Sequence, residues 1–544
     1  MNNLFLKSLY VFIITEILSL LTFLYFPNVP VVFFIIIILI AILSLYQLEY
    51  GLYIILAELF IGGKGYLFSL DIGNITISIR IALFVIIFGV WLYKKLRPFI
   101  THTPSTSPFE RGRKIVFGQS IIWKYFYILF VLISYGIING YFRNSLGNVF
   151  LDANAWIFFL LIFIFLDSIK KENIQNILAL LFASVVWIGI KTAYILFLFS
   201  RDFSFIGDPI YKWIRNTGVG EITSMGEGMY RVFFQSHVYS LIAAIIILSL
   251  LFLGQKFDKT LHTRSRPTTV ILSAARRIPL LIRGILPPQT QGQDDKSSNQ
   301  TIWMGGGVAV LAFYFSALSI IISQSRSFWV GGVATFVCLF VYSIFFIRSS
   351  LPPRSSGGNV GGSVSNIKKI LIFAVLFFII IYSQLSVIKI ITGNYGNLFA
   401  ARLENSEEEA AGSSRMNQLQ PLFDGIKKHP IFGSGFGTEL TYKSNDPRVL
   451  TAYPDGMYTT YAFEWGYLDI WLKIGLVGLG IYLAILFFIS KQLLLNNNII
   501  QKSLFFGLLA LMATNIFSPY LNHPLGIGYI LLLSGLVYNG DMRK

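Results

Sequence analysis

The run EWGYLDIWLKIGLVG, residues 464–478, carries the chain from a polar segment directly into an apolar span. The polar segment extends back to Thr392, where another apolar run ends. Aromatic and charged residues at the entry to an uninterrupted apolar stretch are typical of a helix that enters a bilayer. This boundary predicts a membrane protein in which one large polar loop lies between two transmembrane helices.

Apolar runs recur on both sides of this boundary along all 544 residues. Hydrophobic residues make up 55% and aromatic residues 16% of the chain, and the mean hydropathy is +0.67. Runs of about 20 apolar residues are long enough to cross a hydrocarbon core, and helices satisfy their own backbone hydrogen bonds there. We therefore predict an all-α, polytopic integral membrane protein that lies in a lipid bilayer.

Counting these runs predicts about fourteen transmembrane helices. The predicted centres lie near residues 15, 38, 56, 86, 130, 160, 187, 243, 313, 337, 380, 476, 511 and 531. With the N-terminus in the cytoplasm, every second loop carries the excess of Lys and Arg that marks cytoplasmic loops. These basic loops lie at residues 94–114, 170–171, 255–300, 348–369, 491–502 and 543–544. Both termini are therefore predicted to be cytoplasmic.

The same pattern divides the chain into three parts. Residues 1–391 contain transmembrane helices 1–11 with basic cytoplasmic loops, residues 392–462 form the large extracytoplasmic loop, and residues 463–544 contain helices 12–14. Two of the cytoplasmic loops, residues 255–300 and 349–368, contain stretches low in apolar residues and are predicted to be disordered in part. A polar loop of this size on the outer side indicates where a substrate is handled.

Composition and motifs exclude several classes of function. Cys338 is the only cysteine, which excludes disulfides within the chain. The net charge of +17 comes mostly from loops on one side of the membrane, so we expect no nucleic-acid partner. The sequence contains no GxxxxGK[ST], GxGxxG, HExxH, CxxC or DxD motif. We therefore predict no metal, no cofactor and no soluble nucleotide donor.

Arginines at the mouths of spans are the first candidates for binding. Arg326, in the run SQSRSFWVGG, lies between two apolar runs with almost no loop, Arg231 precedes the eighth span, and Arg415 begins a predicted amphipathic helix. A guanidinium at such a depth is costly unless it meets an anion, and its planar fork matches phosphate oxygens. Simple interfacial anchoring, or pairing with a carboxylate such as Glu221 or Glu404, remains open.

Two further residues are candidates for proton transfer. Glu464 stands at the outer entry to a span without a partner in its own helix, whereas Asp469 and Lys473 lie four residues apart and can pair. A carboxylate at a partly desolvated mouth can act as a general base, although a Glu bound to one of the arginines fits as well. His429 begins the run HPIFGSGFG, residues 429–437, and either shuttles a proton or caps a helix. The alternating glycines allow a close backbone approach, a phosphate-binding turn or a turn alone.

These motifs occur in an order that resembles a known family. SRSFW begins a span, an Arg precedes HPIFGSGFG in the large outer loop, and EWGYLDIWLKIGLVG enters the next span. This arrangement resembles the O-antigen ligase and O-antigen polymerase family of bacterial cell envelopes, most clearly over residues 323–487. The family often has a His at the start of the last motif, where this chain has Glu464. This difference favours the polymerase or exopolysaccharide branch.

The resemblance implies an inverting, metal-independent glycosyltransferase of the cytoplasmic (inner) membrane. It implies transfer of glycan from an undecaprenyl-diphosphate-linked oligosaccharide donor to a sugar hydroxyl acceptor on the outer face. The donor diphosphate would be bound by Arg326 and Arg415, with Arg231 as a weaker match. Glu464 would be the catalytic base, with His429 as the second candidate.

The alternative is a transporter or flippase of lipid-linked sugars, which also needs arginines and aromatic residues along a cavity. Such a protein should show inverted repeats and discontinuous helices in matching halves, and the sequence shows neither signal. The large outer loop and its carboxylate favour the enzyme, because transport needs neither. Four tyrosines of this loop either stack against sugar rings or are ordinary interfacial aromatics. They are Tyr442, Tyr453, Tyr458 and Tyr461.

Overall fold

The computed structural model describes residues 2–26, 30–72, 75–100, 121–226, 228–253, 306–349, 378–393 and 413–541. Of the loops predicted to be disordered in part, residues 255–300 and 349–368, all but Ser349 lie outside the described residues, and so do residues 394–412 of the large loop. Ser349 is the last residue of a helix. The three-part division of the chain therefore stays a prediction.

Helices dominate the first part of the chain, up to residue 253. They are α1 (Asn2–Tyr25), α2 (Val31–Tyr46), α3 (Leu48–Ile61), α4 (Ile79–Ile100), α5 (Ile121–Arg143), α6 (Leu146–Ile157), α7 (Ile162–Ser168), α8 (Ile174–Ser200), α9 (Ser204–Asn216) and α10 (His237–Leu253). A short 3-10 turn, Phe158–Leu161, joins α6 to α7, so the two form one long rod.

The second part contains the remaining helices. They are α11 (Gly306–Ser323), α12 (Arg326–Ser349), α13 (Phe378–Thr392), α14 (Leu419–Lys428), α15 (Pro447–Ala452), α16 (Gly466–Leu495), α17 (Ile499–Thr514) and α18 (Pro524–Asp541). Thr392, the last residue of α13, is also where the sequence predicts that the large loop begins.

The helical spans agree with the apolar runs of the sequence, but their number is not confirmed. Within the described residues, seven helical segments are long and apolar enough to cross a membrane: α1, α5, α6 with α7, α8, α11, α12 and α16. Five shorter apolar helices, α2, α10, α13, α17 and α18, accompany them. Each of the fourteen predicted centres lies in a helix or in the turn between α6 and α7. The total of fourteen spans remains a prediction.

Three small antiparallel hairpins in the described part of the chain depart from the all-α expectation. They are β1 (Ser69–Ile72) with β2 (Ile75–Ser78), β3 (Gly220–Ser224) with β4 (Tyr230–Phe234), and β5 (Leu440–Lys443) with β6 (Met457–Thr460). These strands are short and rich in β-branched and aromatic residues, a composition that favours extended backbone. All three hairpins lie in connections outside the apolar runs, so the spans themselves are helical.

The chain connections bring the polar segments together at one end of the helices. At this end α8, α11 and α17 finish, and α10, α12, α16 and α18 begin. We call it the site end, because it also carries the three hairpins and every candidate residue named above. Lys94 and Lys95 near the end of α4, Lys170 between α7 and α8, Lys491 of α16 and Lys502 of α17 lie at the opposite end.

Two buried ion pairs join helices below the site end. Arg80 of α4 donates from Nε and Nη2 to the two carboxylate oxygens of Glu58, each at 2.8 Å. Lys191 of α8 donates to Glu16 of α1 at 2.6 Å and lies 4.2 Å from the ring centroid of Phe234. Each pair neutralises a charge that would be costly alone among apolar side chains.

The glycine run, residues 429–437, packs into a break in α16. Gly475 has a φ of 73° inside this helix, so α16 is interrupted about one third of the way along its length. The amide of Ser434 donates to the Leu472 carbonyl oxygen at 2.7 Å, and the amide of Leu476 donates to the Pro430 oxygen at 2.9 Å. Backbone groups that the break leaves unpaired are therefore satisfied by this loop.

Three alternating glycines make this close packing possible. Gly433, Gly435 and Gly437 have φ values of 79°, 92° and 75°, a region that side chains disfavour. A Cβ at Gly435 would lie 2.5 Å from the Gly140 backbone nitrogen of α5. Each glycine therefore serves both the turn and the contact with a neighbouring helix.

We expect Gly435→Ala to destabilise the protein by about 1–3 kcal/mol from backbone strain alone, before the contact with α5 is counted. Gly147→Ala is the matched control, because a Cβ at Gly147 in α6 meets no atom within 4 Å. The control should be neutral or slightly stabilising, since Ala favours helix over Gly. Thermal unfolding in detergent micelles measures both. Equal melting temperatures for the two variants would contradict the assigned role of Gly435.

Candidate functional site

Arg415 lies at the site end in a short helical turn, residues 413–417, that precedes α14. The predicted amphipathic helix is interrupted at Gln418. Pro421 explains the interruption, because a proline cannot donate an amide hydrogen bond to residue 417 and its ring crowds that carbonyl. Arg415 therefore stands before α14 instead of on its surface.

Side-chain hydrogen bonds hold this turn against the hairpin of β5 and β6. The amide of Asn445 donates to Ser414 Oγ at 2.8 Å, and Asn417 Nδ2 donates to the Lys443 carbonyl oxygen at 2.8 Å. On the other side, Trp465 Nε1 donates to the Arg415 carbonyl oxygen at 2.8 Å. The backbone around Arg415 is thus fixed between the hairpin and the start of α16.

The guanidinium of Arg415 forms an ion pair with the carboxylate of Glu464. The two side chains are 39% and 42% exposed, so the pair lies at the surface of the site and is accessible to a ligand. The amide of Glu464 donates to the side-chain oxygen of buried Gln418 at 3.2 Å. The sequence left Glu464 open either as a base or as a partner of an arginine, and in this structure it is a partner.

Arg231 and Arg326 come together near the turn between α11 and α12. Arg231 of β4 donates from Nε to the Ser323 carbonyl oxygen at 3.0 Å, at the end of α11. Arg326, which is exposed, follows three residues later as the first residue of α12. Gln324 adopts a φ of 49°, which lets the chain reverse within two residues. The tight junction predicted from SQSRSFWVGG is therefore present.

The turn after α17 connects these arginines to Arg415 and Glu464. Ser518 Oγ donates to Ser327 Oγ at 3.0 Å, one residue after Arg326. The ring of Phe517 lies 5.4 Å from the ring of Trp465, which follows Glu464. Three arginines and one carboxylate thus flank a single short turn at the site end.

His429 occupies a different position, at the C-terminal end of α14. Its amide donates to the Ile426 carbonyl oxygen at 3.1 Å, so it caps this helix. Its Nε2 lies 2.8 Å from Arg143 Nη1 of α5. Because a guanidinium only donates hydrogen bonds, Nε2 is the acceptor in this contact.

A buried charge cluster lies beneath the glycine run. Lys473 of α16 bonds Asp152 of α6 at 2.5 Å and Asp469 at 2.7 Å. Asn522 Nδ2 donates to Asp469 at 2.6 Å, and the Gly437 amide donates to Asp152 at 2.8 Å. The predicted pair of Asp469 and Lys473 is confirmed, and Asp152 is an additional partner from a distant part of the chain.

The amides of the glycine run are engaged within the protein. The amides of residues 433–437 donate in turn to the carbonyl oxygens of His429, Leu472, Lys473 and Gly136 and to the carboxylate of Asp152. A phosphate-binding turn would need several of these amides to point at a ligand. The run therefore acts by close backbone approach, and the phosphate interpretation of it is wrong.

The sequence analysis did not identify the buried pairing of several charged residues in this region. Asp152, Glu58, Arg80 and Lys191 each stand in or beside an apolar run, and a charge in such a place signals a buried partner. The identity of the partner depends on which helices are neighbours. A second histidine, His523, precedes α18, where burial and the nearby cations of Arg80 and Lys64 lower its pKa to about 3. It is therefore neutral at physiological pH.

Replacing Lys473 should be more damaging than replacing either of its partners. Lys473→Met leaves Asp152 and Asp469 buried without a cation, at a cost of about 3–5 kcal/mol. Asp152→Asn leaves one cation and one carboxylate together and should cost less. Lys427→Met is the control, since Lys427 is exposed and pairs only weakly with Asp424. Thermal unfolding of the purified variants gives the order, and a Lys473→Met protein as stable as Lys427→Met would contradict it.

Residues 311–483 match the family model described as O-antigen ligase. No curated protein and no solved structure matches the chain. Within the described residues, no three His, Cys, Asp or Glu side chains form a group that could hold a metal ion.

The matched segment runs from α11 into α16 and contains Arg326, Arg415, His429 and Glu464. Arg231 lies outside it and reaches the site through β4. The resemblance predicted from the order of motifs is thereby confirmed, and with it glycan transfer of the O-antigen ligase and polymerase type. The match over residues 311–483 supports an assignment of this membrane protein to the O-antigen ligase family, whose members transfer glycans.

Proposed function

We propose that the protein transfers glycan from an undecaprenyl-diphosphate-linked donor to a sugar hydroxyl on the outer face of the cytoplasmic membrane. The observation that carries the proposal is the ion pair of Arg415 and Glu464, set across one turn from Arg231 and Arg326. Arginines on both sides of one turn, with one carboxylate, at the polar end of apolar helices fit a substrate with a charged head group and a lipid tail.

The arginines stabilise the leaving diphosphate. When the bond between the sugar and the diphosphate breaks, negative charge grows on the phosphate oxygens. Guanidinium groups fixed around this position stabilise that charge more in the transition state than in the ground state. Arg231 is held by its bond to Ser323, and Arg415 by the bond from Trp465 to its carbonyl oxygen. The proposed transfer therefore needs no metal ion.

Glu464 takes the proton of the acceptor. The acceptor oxygen attacks the anomeric carbon from the face opposite the diphosphate, its proton passes to the Glu464 carboxylate, and the configuration inverts. Donor binding prepares this step, because the diphosphate competes with Glu464 for Arg415 and releases the carboxylate. His429 is less suited to act as the base, since Arg143 already occupies its Nε2.

The distribution of charges supports the proposed orientation. The end of the helices opposite the site carries Lys94, Lys95, Lys170, Lys491 and Lys502. Loops rich in Lys and Arg remain in the cytoplasm during membrane insertion, so this basic end faces inward and the site end faces outward. Helix α1 begins and α18 finishes at the basic end, which supports the proposed cytoplasmic position of both termini.

A transporter or flippase of lipid-linked sugars is the second candidate, and the break at Gly475 in α16 favours it. Transporters often bind their substrates at discontinuous helices whose free backbone groups line a cavity. In this protein the broken segment is filled by residues 430–437, which bond the exposed backbone groups. The break is therefore closed by protein, and the enzyme interpretation is preferred.

The decisive experiment uses the purified protein in lipid vesicles with undecaprenyl-diphosphate oligosaccharides and no added metal. Products are separated by gel electrophoresis and identified by mass spectrometry. A ladder of lengthening glycans establishes a polymerase, and a single transfer to an added acceptor establishes a ligase. Movement of unchanged donor between leaflets, with no new product, would establish the transporter instead.

Arg326→Ala and Arg415→Ala should each abolish glycan transfer without preventing membrane insertion. Arg→Lys at either position should restore little activity, because an ammonium is a point charge and not a planar fork. Arg215→Ala is the control, since Arg215 lies in α9 at the same end and forms an exposed pair with Glu221 at 3.3 Å. Products of normal length from either variant would refute the diphosphate role of that arginine.

Glu464→Gln should stop transfer and yet bind undecaprenyl diphosphate at least as tightly as the wild type. The substitution removes the base and, at the same time, the anion that competes for Arg415. Glu439→Gln is the control, because Glu439 lies in the same loop and bonds only Asn148 among the described residues, at 2.6 Å. Binding is measured with labelled undecaprenyl diphosphate and transfer by the vesicle assay. Wild-type turnover in Glu464→Gln would show that another group takes the proton.

A further inference from the structure

Tyrosine side chains on the hairpin of β5 and β6 form a surface beside the proposed reaction site. The ring of Tyr458 lies 6.0 Å from that of Tyr453 and 5.9 Å from that of Tyr442, with interplanar angles of 62° and 90°. Tyr461 follows β6 directly and is half-buried. We call Tyr453, Tyr458 and Tyr461 the tyrosine platform, with Tyr442 as its buried support.

The aromatic rings of the platform are accessible to a ligand, whereas the backbone that carries them is held by hydrogen bonds. Tyr453 is 50% exposed, although large aromatic side chains usually bury more of their surface. Its carbonyl oxygen accepts from the Gly456 amide at 2.9 Å, and Gly456 in turn accepts from the Ser444 amide at 2.7 Å. The ring is therefore presented by a turn that is already formed.

Gln418 connects the platform with Glu464. This buried side chain hydrogen bonds the Tyr442 hydroxyl, and its oxygen accepts from the Glu464 amide. A single residue thus holds both the support of the platform and the backbone of the proposed base. The position of the base relative to the platform is fixed by this contact.

Tyr461 is the member of the platform whose hydroxyl interacts electrostatically with the buried charge cluster. Burial raises the pKa of its hydroxyl, with smaller contributions from Asp152 and Lys473, so this phenol lies within electrostatic reach of both. Glu464 is the third residue after Tyr461, so the two are at most about 11 Å apart along the chain. A sugar bound on Tyr461 is therefore only one or two sugar units away from Glu464, the proposed base.

We propose that the tyrosine platform binds the acceptor glycan and places its hydroxyl at Glu464. The C–H face of a pyranose ring packs against an aromatic face, while phenol hydroxyls bond sugar hydroxyls. The hairpin is polar around the rings, with Thr441 and Thr459 hydroxyls exposed 2.7 Å apart, which suits a carbohydrate better than a lipid chain. The proposal rests on the proposed function, since it assigns the second substrate of the same reaction.

Tyr453→Ala and Tyr461→Ala test the platform in the reconstituted protein. The probe is the donor's oligosaccharide released from its lipid by mild acid, with binding measured by saturation-transfer NMR. Each variant should bind this glycan about 3- to 10-fold more weakly and show a matching rise in acceptor KM. Binding of undecaprenyl diphosphate should not change, because the donor is assigned to the arginines and the acceptor to the tyrosines.

Tyr141→Ala is the matched control, since Tyr141 is exposed at the same end of α5 and its ring contacts Phe142. The platform is refuted if the two variants bind the released glycan as the wild type does, or if Tyr141→Ala weakens binding equally. It is also refuted if undecaprenyl diphosphate binding falls together with glycan binding. A wild-type protein that binds the glycan through these tyrosines but transfers nothing would refute the proposed function and leave the platform in place.

Discussion

The site end depends on one buried cation, Lys473. It lies in the second turn of α16 and bonds Asp152 from α6 and Asp469 from its own helix, and the Gly437 amide completes the environment of Asp152. A lysine among apolar helices is costly, and the cost is offset only when carboxylates surround it. The cluster therefore fixes the angle between α6 and α16 and determines where the glycine run can pack. The break at Gly475 follows two residues later, in the part of the helix that the cluster holds.

From this fixed point the proposed active site is built outward along the chain. The glycine run fills the break in α16, α14 lies over it, and the turn that carries Arg415 is held between the hairpin and Trp465. Arg415 and Glu464 are exposed, but every backbone segment that presents them is hydrogen bonded to a buried element. In such an arrangement, mobile charged side chains stand on a rigid backbone, which catalysis by electrostatic stabilisation requires. The tyrosine platform is connected to the same rigid backbone through Gln418.

Local patterns gave correct predictions wherever the cause was local. Apolar runs predicted the helices, the four-residue spacing predicted the pair of Asp469 and Lys473, and SQSRSFWVGG predicted the tight turn at Arg326. The partners that come from distant segments were beyond such patterns. Asp152 lies 321 residues from Lys473, and nothing near either residue indicates the other. The hairpins were missed because each strand is only four or five residues long, which is too short for periodicity to be distinct. The alternating glycines predicted either a close backbone approach or an anion-binding turn. Which of the two occurs depends on the helices that pack against the run, and these are distant in the sequence.

The presence of Glu464 where the family often has a histidine becomes understandable from the charge of Arg415. A guanidinium at the edge of a membrane is stabilised by an anion when no substrate is bound, and a neutral imidazole does not supply one. A carboxylate at this position serves two purposes in the proposed reaction, as the resting partner of Arg415 and as the base. The two uses exclude each other, because the carboxylate that holds the arginine is not available to the acceptor. The base would then be released only when a diphosphate has taken its place, which couples activation of the acceptor to occupancy by the donor. In a site exposed to water, this order keeps the Glu464 carboxylate engaged by Arg415 until the donor diphosphate has bound.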